Sequence, residues 1–137
     1  MEIIFESRRF EILEDDARDV FFTERVGNFL LAELQKFGFR PRFHKDDWGV
    51  RLVIEEENVK LYIRITAEWK DDSLPGESLI AFKCVTGYSI TGKGKFLSLL
   101  GKLSPEEKLS RLNWTLKNIL SPGDIKILSI KNDIVSM

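Results

Sequence analysis

The sequence predicts an α+β protein, a two-layer sandwich in which a mainly antiparallel sheet, built as a meander, has two main helices packed against it. Three observations predict it. Between residues 50 and 67 apolar and polar side chains largely alternate, the period-two pattern of strands that are wet on one face. Two other stretches, 22–37 and 105–120, place apolar residues three and four apart, as helices with one buried stripe do. The strand-like runs also follow one another through short polar connections, which excludes the doubly wound nucleotide folds whose strands each lead into a helix.

Residues 2–13 open the chain as a strand interrupted near Ser7, Arg8 and Arg9, because Ile3 and Phe5 share one parity and Phe10 and Ile12 the other. Glu14, Asp15 and Asp16 end this segment. Val26, Phe29, Leu30, Leu34 and Phe37 then define the first helix, with Gly38 as its stop. Gly27 inside that helix is costly in propensity and marks a site where another element comes close. After Arg40 and Pro41 comes a short strand through Phe43, then a turn at 46–49, then a strand carrying Val50, Leu52 and Ile54. Glu57 and Asn58 make a tight connection to Val59, Leu61, Ile63 and Ile65.

A polar loop at 71–76 precedes a run at 79–86 that is apolar on both parities, as in a central strand. The second helix starts at Ser104, read as an N-cap with Pro105 at the first helical position and Glu107 completing a capping box. Its buried stripe is Leu109, Leu112, Leu116, Ile119 and Leu120, and the Ser121, Pro122, Gly123 turn ends it. Ile125, Ile127, Leu128 and Ile130 supply a last strand.

At 137 residues the chain has the size of one ordinary domain, so residues 1–137 are read as a unit. Apolar residues at 43% and charged residues at 31% supply both a core and a soluble surface. The formal net charge of -1 gives no long-range field for nucleic acid or anionic lipid. The single cysteine, Cys84, has no partner for an intramolecular disulfide and lies in an apolar strand, which fits a reducing compartment. With no signal-peptide pattern at the N-terminus and no window of about 20 apolar residues, the expectation is a cytoplasmic protein without a membrane partner.

The residues from Gly87 to Gly94 match the spacing of a phosphate-cradling loop up to Lys93. The match stops there, because Gly94 replaces the metal-ligating Ser or Thr and too little chain follows for the parallel sheet. The simpler reading is a flexible glycine loop at Gly87, Gly92 and Gly94. His44 beside Asp46 and Asp47 offers an acid/base pair, the enzyme alternative, but no second histidine or available cysteine completes a tight metal shell. No catalytic, cofactor-binding or metal residue is therefore assigned, and no cofactor is expected. Arg8, Arg9, Arg40, Arg42 and Lys45, interleaved with Phe39 and Phe43, suggest a basic strip along one sheet edge, the nucleic-acid alternative. Edge charges that block unwanted strand pairing explain them more simply. Phe96, Leu97, Leu99, Leu100 and Leu103 are read as packing over one end of the sheet, and Trp48, Trp69 and Trp114 as core before interface.

The segment Phe43-His44-Lys45-Asp46-Asp47-Trp48-Gly49-Val50, after a helix ending Phe37-Gly38-Phe39 and before a hairpin, resembles small uncharacterised bacterial α+β proteins similar to immunity proteins. Their turn carries a second Trp where this chain has Val50. The resemblance implies a binding role and carries no catalytic residue. It leads to a non-enzymatic protein-binding module, an immunity or accessory protein of a bacterial conflict or secretion system. Asp46, Asp47 and Trp48 are its candidate partner-binding residues, acids there mimicking an anionic substrate. The sequence leaves the partner's identity and the oligomeric state open.

Overall fold

The computed structural model describes residues 1–10, 19–69, 80–90, 92, 101 and 104–132. Strand β1 (Glu2–Glu6) leads through a 3-10 turn (Arg8–Phe10), and helix α1 (Asp19–Lys36) precedes the strands β2 (Pro41–Asp46), β3 (Gly49–Glu56), β4 (Val59–Trp69) and β5 (Ile80–Ile90). Helix α2 (Pro105–Ile119) and strand β6 (Lys126–Lys131) complete the set. The 6-stranded sheet has the order β2-β3-β4-β5-β1-β6, and every pairing in it is antiparallel. Both helices pack on one face, giving the expected two-layer α+β architecture.

The alternation that predicts the strands decides which face is covered. Val50, Leu52 and Ile54 of β3, Leu61, Ile63 and Ile65 of β4, and Phe82 and Cys84 of β5 are all buried beneath the helices. Phe22, Val26, Leu30 and Leu34 of α1 meet them, one residue per turn, with Leu112, Leu116 and Ile119 of α2 beside them. Each such side chain, fully buried, contributes about 1.5–3 kcal/mol. Burial also pushes the Cys84 thiol pKa far up, so the sulfur stays a neutral, unreactive core group.

Local chemistry fixes the element ends. Gly38 takes φ +90° after α1, where the Gly38 amide donates to the Gln35 carbonyl at 3.1 Å and the Phe39 amide to the Leu34 carbonyl at 3.1 Å. These two bonds form a Schellman closure. The interruption after β1 is the 3-10 turn, in which the Arg9 amide donates to Ser7 Oγ at 3.3 Å. It returns Phe10 to the core, its ring 5.7 Å from Phe82 and 5.4 Å from Phe29. Inside α1, Gly27 lies where a Cβ would stand 2.7 Å from Phe43 Cε2 and 2.9 Å from Val50 Cγ1, the close approach its presence in a helix signals.

Four expectations are corrected. The capping box of α2 is not formed: Ser104 makes no side-chain cap bond, and Pro105, itself buried, carries the start of the helix. Gly87 is not in a loop but inside β5, which runs on to Ile90 because its backbone pairs with β4 throughout. The basic strip is split, because β1 inserts between β5 and β6 and carries Arg8 and Arg9 far from Arg40, Arg42 and Lys45 at the β2 edge. Trp114 and Trp48 are exposed, at 61% and 47%, rather than in the core. Trp114 points away from the α2 stripe, and Trp48 sits at a turn tip. Ile12, the 71–76 loop and the apolar residues Phe96, Leu97, Leu99, Leu100 and Leu103 lie outside the described residues, as does the side chain of Trp69. Among the described residues no helix is long and apolar enough to cross a membrane.

Candidate functional site: the β2–β3 turn

Asp46, Asp47 and Trp48 sit at the tip of the β2–β3 hairpin, whose last register pair is Asp46 with Gly49. Two residues, Asp47 and Trp48, therefore make the whole connection. The tightness has a cause in Gly49: φ is +155°, and a Cβ there would collide with the Ile65 carbonyl oxygen of β4. Only glycine lets the two backbones pass so close.

The strand leading to the turn is clamped from the helix side. Lys45 points under the sheet and its Nζ lies 2.6 Å from Glu24 Oε1 of α1. Phe43, two residues earlier on the same side, packs against the core. His44 and Asp46 consequently project from the opposite face, sharing a face as their spacing predicts, with His44 exposed and Asp46 half-buried. Asp47 is exposed and Trp48 is 47% exposed. The structure thus places the three candidate residues at the tip of a tight hairpin, with one large aromatic side chain and one carboxylate exposed and the second carboxylate half-buried. Among the described residues no group of three or more His, Cys, Asp or Glu side chains could hold a metal ion. The phosphate-loop reading loses its first glycine to β5, and Lys93 lies outside the described residues.

Sequence reasoning passed over Arg51 and Arg64, each of which reads singly as the polar partner in an alternating strand. The signal that finds them is register: Glu57 and Asn58 close β3 onto β4, and counting back from Glu56 and Val59 sets Arg51 opposite Arg64. The chain matches no family model, and no curated protein or solved structure is significantly similar to it.

Proposed function

We propose that this chain is a non-enzymatic protein-binding module, of the immunity or accessory type found in bacterial conflict and secretion systems, acting in the cytoplasm through the β2–β3 turn. The observation that carries the reading is Trp48, held about half out of the protein at the tip of a two-residue hairpin. Leaving a tryptophan in water forgoes one of the largest burial gains available to any side chain, and a partner that covers it recovers that gain. Asp46 and Asp47 at its side would steer the approach of a basic surface and suppress wrong partners. The likeness of the Asp-Trp-Gly turn to immunity-like proteins supports the choice of partner class.

The test is an affinity capture from host lysate with the parent and an Asp46→Ala/Asp47→Ala/Trp48→Ala variant, bound proteins being identified by mass spectrometry. A protein enriched on the parent and lost on the variant supports the reading and names the partner. Equal enrichment on both would remove the turn from the contact, and enrichment on neither would remove the protein-binding reading.

A further inference from the structure

The sheet face opposite the helices gathers cations that no single segment of the sequence contains. His44 of β2 pairs in register with Arg51 of β3, and Arg51 with Arg64 of β4. Arg42 stands in the adjoining row, opposite Val53, which in turn faces Tyr62. Like charges directly opposite on one sheet face repel, so the Arg51 and Arg64 pair lowers the stability of the chain by itself. Arg51 Nε is also closed off from solvent with no hydrogen-bond acceptor. A desolvated guanidinium donor with no acceptor in its own chain has capacity for one from outside it. Arg64, by contrast, is already positioned, its guanidinium 5.3 Å from the centre of the Tyr62 ring, with the hydroxyl end of that ring laid over Gly87.

We infer that this face receives an acidic segment of a partner protein, whose carboxylates bind between Arg51 and Arg64, with Arg42 and His44 at the rim. The inference rests on the protein-binding reading for the class of partner but names a second contact surface. Charge complementarity selects an anion, and three features select a polypeptide over a nucleic acid. A broken ring of carboxylates flanks the cations: Asp46 beyond His44, Glu55 on β3 at 3.8 Å from Lys60, Glu68 on β4, and Glu2 past Val85 at 4.0 Å from Lys83. A continuous polyanion would run into that ring, whereas a short acidic segment ends inside it. The Tyr62 ring is occupied by Arg64 and Gly87 and offers no platform for base stacking. Half-buried Val53, Val85 and Ile4 lie among the charges, so the surface alternates cation with hydrocarbon, as would a ligand alternating carboxylate with apolar side chains.

The experiment is a fluorescence-anisotropy titration of the intact chain with three labelled probes: a short peptide alternating Glu and Leu, its Gln and Leu counterpart, and an oligothymidylate. The Glu peptide should bind with an affinity that falls with salt, and the Gln peptide should bind at least about tenfold more weakly. Arg51→Gln/Arg64→Gln should weaken the Glu peptide by at least about tenfold while melting no lower than the parent, because it removes opposed like charges. If that variant fails to fold, Arg64→Lys carries the test: it keeps the charge but not the bidentate fork and should weaken binding about threefold or more. Oligothymidylate binding tighter than the Glu peptide, and lost in the same variants, would overturn the occupant. Absence of peptide binding to the parent, or binding unchanged in the variants, would overturn the site. Trp48→Ala should leave the peptide affinity within about twofold, so failure here with an intact Trp48-dependent capture sinks this surface alone, and the converse sinks the turn alone.

Discussion

The two faces of the sheet are made from the same strands and have opposite chemistry. Leu61 and Tyr62 are chain neighbours, yet Leu61 is wholly buried under the helices while Tyr62 lies half-buried on the other side under a guanidinium. Because side chains alternate strictly along a strand, stability is concentrated on one parity and the proposed contact chemistry on the other. The two are therefore separable by mutation. The strongest way to break this division is Leu61→Ala against Val53→Ala, the latter facing Tyr62 across the open side. Leu61→Ala should cost about 2–5 kcal/mol as a core cavity, read from denaturant unfolding midpoints. Val53→Ala should cost under about 1 kcal/mol, as at other partly exposed sites. Equal losses would mean that the second face is closed by something and is not a contact surface.

Each face also has one glycine set against an aromatic ring, which sharpens the comparison. Gly27→Ala on the covered side gains up to about 1 kcal/mol of helix propensity but drives a methyl into Phe43 and Val50. Overpacking of that kind costs about 1–3 kcal/mol, and since the ring edge and the β3 side chain are both packed, a net loss on the order of 1 kcal/mol is expected. Gly87→Ala would collide with the hydroxyl end of Tyr62, which can swing toward solvent. Its stability loss should be the smaller of the two, but by moving the ring it should displace Arg64 and lower affinity for the acidic peptide severalfold. If Gly87→Ala left that affinity untouched, the perch of Arg64 on Tyr62 would be irrelevant to binding.

The difference between the faces also explains what could be read in advance. The covered face was legible because burial leaves a mark in one dimension: the alternation of 50–67, the helical spacing of Val26, Phe29, Leu30 and Leu34, and Gly38 as a stop, although Phe37, which the same spacing assigns to the stripe, is exposed at the end of the helix and Phe22 is buried instead. Sheet order was not, since the pairing of Ile3 with both Cys84 and Ile130 joins residues far apart in sequence and follows from no local pattern. Gly87, Tyr88 and Ser89 look like loop residues and become strand only because β4 supplies their backbone partners. Ser104 and Glu107 have the capping-box letters without the bonds, and Glu106 instead accepts from the Tyr88 hydroxyl at 3.2 Å. For the turn, clustering in sequence was enough to nominate Asp46, Asp47 and Trp48. The arginine row required register counted back from the Glu57 and Asn58 connection, which neither composition nor the alternation within one strand carries.

The smallest expected effect concerns an arginine whose acceptor is in its own chain. Arg9 Nε lies 2.6 Å from Asp124 Oδ2 and its Nη2 2.7 Å from Oδ1, while its guanidinium covers the Phe29 ring at 5.0 Å. The hydrogen bond from Arg9 is the main cause holding the Asp124 carboxyl below its ordinary pKa. A carboxylate whose pKa is lower in the folded state stabilises the fold above its unfolded value, and that contribution disappears as pH falls through the folded value. Both partners are solvent-exposed, so Arg9→Ala should change stability near neutral pH only slightly, and parent and variant should converge in acid. The sensitive readout is the Asp124 carboxyl titration by carbon NMR, which should return to the ordinary aspartate range in the variant. A titration that stays depressed would show that Arg9 is not the source. The pair then serves as the internal reference for Arg51: the same guanidinium, satisfied by a carboxylate at the N-terminal turn and left without an acceptor at one nitrogen on the open face. Moving Arg9 off its acid should cost little because water reaches both groups. Giving Arg51 an acid from outside should matter more, because its unpaired donor is already desolvated before the partner arrives.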